Sequence, residues 1–166
     1  MRVRRHTAAL IITSALFAAG VVAPADAKPG NGNANGHDKG HCRAFHARGE
    51  GVDDGTGTTT AVIYRGNREI GTTVGTFTAV PGEDGVVSFT GTIVFTNDKG
   101  TLIAPVVGTL DTVSGEFDST SDSVTGTAGY ADVTGRLRFA GVQDIDGLTF
   151  TETVHGKLCV PKKKQH

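Results

Sequence analysis

Between residues 86 and 97 the side chains alternate in character: Val87, Phe89, Gly91, Ile93 and Phe95 fall on one face, and Ser88, Thr90, Thr92 and Thr96 largely on the other. Extended chain points successive side chains to opposite sides, so a period of two marks a strand with one face in a core and one in water. A buried helix would repeat its apolar positions near every 3.6 residues, a pattern almost missing from this sequence. Leu137, Phe139 and Gly141 repeat the two-residue period, with Arg136 and Arg138 on the wet side.

Turn formers ending in glycine separate these runs, as in Asn97-Asp98-Lys99-Gly100, Thr112-Val113-Ser114-Gly115 and Asp144-Ile145-Asp146-Gly147. Short connections of this kind join antiparallel neighbours. Strands are expected over 42–51, 57–65, 69–79, 86–97, 100–111, 115–124, 134–143 and 147–159. Eight strands can close on themselves, and closure hides the edges of a sheet so rich in Thr and Val. Gly71, Gly75 and Gly91 stand where tight coiling needs small residues. The expected fold is all-β, a single eight-stranded antiparallel β-barrel over 42–160, with an open two-sheet sandwich as the alternative.

The N-terminus carries Arg2, Arg4 and Arg5, an apolar run from Ala8 to Val22, and Ala25-Asp26-Ala27. Charged head, apolar core and small-residue cleavage site together read as a signal peptide over 1–27, hence a secreted, extracellular protein. The run falls short of the roughly 20 residues a spanning helix needs, so no membrane span is expected. Residues 28–41 are rich in Gly and Asn and read as a flexible linker, and 161–166 read as a basic tail around Lys162, Lys163 and Lys164. Of 16 basic and 17 acidic residues, the leader takes three Arg and one Asp, which leaves a net charge of −3. Nucleic acid as a partner is disfavoured, because phosphate binding needs clustered positive charge.

Only two cysteines exist, Cys42 and Cys159, and in an oxidising compartment they are expected to form a disulfide. His37, His41 and His46 lie near Asp38 and Cys42, but their spacing matches no closed tetrahedral set, so no metal is expected. No nucleophile elbow, phosphate-cradling loop or calcium loop is present, and no cofactor is expected.

One residue breaks the pattern of the last strand. Leu148, Phe150, Val154, Gly156 and Leu158 form its apolar face, and Glu152 shares that face. A carboxyl aimed into a barrel loses hydration, which favours its neutral form and makes it a candidate catalytic acid or hydrogen-bond donor. Tyr64 is the second candidate, as a phenol offered to the same interior. Phe89, Phe95, Phe139 and Phe150 are the candidate ligand-binding walls.

The order of motifs Tyr64-Arg65-Gly66-Asn67, Ile70-Gly71-Thr72-Thr73-Val74-Gly75-Thr76-Phe77, Lys99-Gly100-Thr101-Leu102 and Val124 to Gly135 resembles the allene oxide cyclase and dirigent barrel superfamily, most of all its secreted bacterial members of unknown role. The likeness runs from about Tyr64 to Gly141. It implies a barrel whose cavity shapes a flexible substrate for cyclisation or coupling without a cofactor. Thr58 to Ile63 lack the proline and asparagine that plant allene oxide cyclases place before this tyrosine, so fatty-acid-epoxide cyclisation is not carried over. Two functions follow as expectations. One is a barrel that binds a small apolar ligand and guides such a reaction; the other is a non-catalytic extracellular structural or adhesion module with a filled interior.

Overall fold

A computed structural model describes residues 41–160; the expected signal peptide, all of the expected linker except His41, and the expected basic tail lie outside the described residues. The elements run β1 (His41–Asp53), β2 (Thr58–Arg65), β3 (Arg68–Pro81), β4 (Val86–Asn97), β5 (Gly100–Asp111), β6 (Glu116–Ser121), β7 (Thr125–Gly126), a 3₁₀ turn (Ala128–Tyr130), β8 (Thr134–Asp144) and β9 (Thr149–Val160). Neighbours in the sheet follow the order β4-β3-β2-β1-β9-β8-β6-β5, and an added β4–β5 pairing joins the two ends. Every pairing is antiparallel. The eight long strands therefore form a closed barrel, with the two-residue β7 outside the ring against β5.

The alternation read from the sequence is the alternation that builds the barrel. On β8, Leu137 and Phe139 are buried while Arg136 and Arg138 are exposed, and Arg138 pairs with Asp118 of β6 on the outer surface. On β5, Leu102, Ala104 and Val106 are all buried. These side chains join Val124, Val133, Phe139 and Val154 in one core, with Phe45, Phe77, Ile93, Phe95 and Leu158 packed against it. Burying each large side chain stabilises the fold by about 1.5–3 kcal/mol before entropy is subtracted.

The sixth strand is shorter than its expected 115–124. It stops at Ser121, whose hydroxyl donates to the carbonyl of Ser123 at 2.7 Å and turns the chain inward. Residues 122–133 then cross one end of the barrel. Val124 and Val133 sink into the core, and the Tyr130 ring packs edge-on against Phe95. Its phenol oxygen accepts from the Asn97 amide at 2.8 Å. This segment closes the barrel end that also carries the Cys42–Cys159 disulfide, which links directly paired residues of β1 and β9.

Among the described residues no helix is long and apolar enough to cross a membrane.

Candidate functional site

The end opposite the disulfide is open. A cavity of about 160 Å³ begins there, lined by the mouth-proximal residues of all eight long strands. Phe77, Phe89, Phe117, Phe139 and Phe150 form its aromatic walls, with Val87, Ile93 and Leu110 between them. Phe77 and Phe89 meet edge-to-face at 5.4 Å between centroids, and Phe117 and Phe150 do so at 6.1 Å. Such contacts hold the rings in fixed orientations. Polar groups are few: Thr59, Thr73, Ser119, Asp53, Gln143 and Glu152.

Glu152 is the deepest charged residue of this set, with only 8% of its surface exposed. It stands on β9 directly opposite Gly49 of β1 and Gly141 of β8. Both neighbouring strands thus present hydrogen where another residue would present a side chain. A Cβ at Gly49 would lie 2.7 Å from Glu152 Cγ and Oε1, and one at Gly141 would lie 2.7 Å from the Phe117 ring. Gly49 makes the space that the carboxyl occupies, and Gly141 the space for the Phe117 ring beside it. Among the described residues no cation or hydrogen-bond donor offsets its burial, which pushes the carboxyl up to about 7.

Nearer the mouth, the Gln143 amide donates to Asp53 Oδ2 at 3.1 Å. Three of the four mouth loops are braced by an aspartate that accepts backbone N–H groups. Asp54 takes Thr56 and Thr58, Asp111 takes Val113 and Ser114, and Asp144 takes Asp146 and Gly147. The Thr56 hydroxyl, which donates to Asp54 at 2.7 Å, together with the backbone bonds holds Asp54 below the usual carboxylate range, and the Ser114 and Val113 N–H groups do the same for Asp111. The loops share one further property. Residues 53–57 carry Asp53 and Asp54, 82–85 carry Glu83 and Asp84, 111–116 carry Asp111 and Glu116, and 144–148 carry Asp144 and Asp146, with no Lys, Arg or His among them.

The structure brings together four of the six candidate residues: Glu152, Phe89, Phe139 and Phe150 all line the cavity. Phe95 sits apart from it. It shares the inner face of β4 with Phe89, but six residues along a strand is roughly 20 Å, and Phe95 packs in the closed half around a void of only about 30 Å³. Tyr64 does not reach the interior at all. Ile63 before it is buried inside, so Tyr64 points outward, where the Arg48 guanidinium lies 4.5 Å from its ring centroid. His155, on the outer face of β9, is exposed and meets His46 at 2.7 Å between Nδ1 atoms.

Asp53, Gln143, Ser119, Phe77 and Phe117 were not singled out from the sequence. Gln143 was within reach of it, since it continues the inward series Leu137, Phe139, Gly141. Asp53 and Ser119 depend on long-range register that a local pattern does not contain.

Comparison of the chain with protein-family models, with curated proteins and with solved structures found no match.

Proposed function

We propose that the chain is a small-molecule-binding barrel that acts outside the cytoplasm and takes an apolar ligand into its open end, with Glu152 as the polar anchor. The observation that carries this reading is a glutamate only 8% exposed, whose carboxyl lines an aromatic cavity of about 160 Å³ and meets no hydrogen-bond or ion-pair partner among the described residues. Leaving such a group unpaired costs roughly 1–3 kcal/mol, an expense that a scaffold with a filled interior avoids by placing an apolar residue there. A disulfide within the barrel and the leader-like N-terminus support an oxidising location.

A catalytic role for the same site draws on one added observation. A carboxyl poised at about 7 both gives and accepts a proton near neutral pH, the condition for general acid–base work. The resemblance to allene oxide cyclase and dirigent barrels supports cofactor-free cyclisation or coupling as the reaction class, with the phenylalanine walls folding the substrate.

Titration of the isotope-labelled protein with benzyl alcohol, followed by NMR, tests the binding reading. Shifts centred on Phe89, Phe150, Glu152 and Gln143 are expected. Saturating probe without shifts at these residues would contradict it.

A further inference from the structure

The proposed binding site has a one-sided charge distribution that narrows what it takes. Among the described residues that line the cavity, Glu152 and Asp53 alone are titratable, and both are acids. The four loops around the entrance add seven more acids to Asp53, and none of their ionisable residues is a base. Among the described residues the cations lie elsewhere. Arg48 and Arg138 sit on the outer wall engaged with Glu50 and Asp118, while Arg43 and Arg65 flank the closed end near Phe45. A ligand approaching the mouth therefore meets a negative field, focused by low-dielectric walls.

We infer that the cavity is a site for a small cationic amine, one whose ammonium group reaches Glu152 while a single aromatic ring or short alkyl body fills the phenylalanine-lined space. This inference rests on the binding reading above and specifies its ligand class.

Size and chemistry agree. A dry engineered cavity of about 150 Å³ takes benzene, so the present volume suits one ring with a short arm. The aromatic faces add cation–π attraction for a positive head passing between them. An organic acid would bring its charge to an unpaired carboxyl with no basic residue to receive it. A bare metal ion is a poorer fit, because no three potential metal-ligating side chains converge among the described residues. Burial alone raises the carboxyl of Glu152, and an ammonium beside it reverses that cost, so occupation drives the group to its ionised form.

Calorimetry on the full, oxidised chain at pH 8 with benzylamine, benzyl alcohol and benzoate tests this. The amine is expected to bind about tenfold or more tighter than the alcohol, with benzoate weakest, and added salt should shrink the amine's lead. Glu152→Gln should bring the amine down to the level of the alcohol while the alcohol changes less than about threefold. Equal binding of amine and alcohol to the unaltered protein overturns the amine inference and leaves the cavity reading standing. Benzoate matching the amine overturns it as well, as does a Glu152→Gln protein that keeps the amine's lead. If none of the three probes binds, both readings fall. The comparison among probes uses the native protein, so it stands even where the variant folds poorly.

Discussion

Gly49 faces Glu152 across the β1–β9 ladder so closely that a single methyl group on Gly49 would stand 2.7 Å from the glutamate's Cγ and Oε1. The carboxyl owes its place in the lumen to a missing side chain on the neighbouring strand. Gly51, two residues on, does the same for Phe150, where a Cβ would lie 2.5 Å from the ring edge. The open half of the barrel is thus shaped by pairs in which one strand supplies the large residue and the next supplies none.

Gly49→Ala should therefore push Glu152 out of its rotamer and destabilise the protein by about 1–3 kcal/mol, as overpacking does. Combined with Glu152→Ala, the same change should cost much less, because the clash has gone. Denaturant midpoints of the two single variants and the double variant give the coupling. Strict additivity would show that the two residues do not compete for space.

Glu152 also sets a pH dependence of stability. Its carboxyl is raised in the folded state from 4.5 to about 7, so the folded protein holds this proton more tightly than the unfolded chain. The corresponding stability is fully present below pH 4.5 and is lost as pH rises to about 7. At about 1.4 kcal/mol per pH unit the loss is about 3 kcal/mol. Asp53, the other titratable residue of the lining, has its carboxyl oxygens engaged by Gln143 and by the N–H of Gly55. Asp54 and Asp111, both lowered, act in a separate window: their stability is present above 3.8 and lost at lower pH. Glu152→Gln should remove the decline between pH 4.5 and 7 and keep the acid limb. Parallel unfolding curves for both proteins across that range would contradict this.

The barrel was legible because its evidence is local. Val87, Phe89 and Ile93 on β4, or Leu137 and Phe139 on β8, reveal an inner face through spacing alone, and the same spacing places Glu152 among the inward residues of β9. Tyr64 was misplaced against that very rule, since its neighbour Ile63 already claims the interior. Phe95 was on the right face but at the wrong end, a distinction that needs the rise per residue and not only the period. The glycines around Glu152 were the least readable part. Their meaning lies in which strands stand side by side, and that register is set by closure of the whole ring.

The outward position of Tyr64 has its own consequence. Tyr64→Phe keeps the ring beneath Arg48 on the outer face and removes only its hydroxyl, so ligand affinity should be unchanged and stability should move by no more than about 0.5 kcal/mol. Loss of binding in this variant, read by the same NMR titration, would return the phenol to the site.

Reduction should reveal how much of the ring's stability is covalent. Cys42 and Cys159 are 117 residues apart, and in the chain-entropy model a bridge of that span contributes about 4 to 5 kcal/mol. The β1–β9 ladder continues from Cys42 to Val52 beyond the bridge, so the reduced protein should keep its sheet and unfold at a lower denaturant concentration. An unchanged midpoint after reduction would show that the noncovalent ladder alone sets the end-to-end constraint.

The most direct measurement is the titration of the Glu152 side-chain carboxyl carbon by NMR in the ligand-free protein. A midpoint near 7 is expected, moving downward when benzylamine is added. A midpoint near 4.5, indifferent to the amine, would mean that the carboxyl is solvated and not held in an apolar lumen, and the account of the site would be wrong.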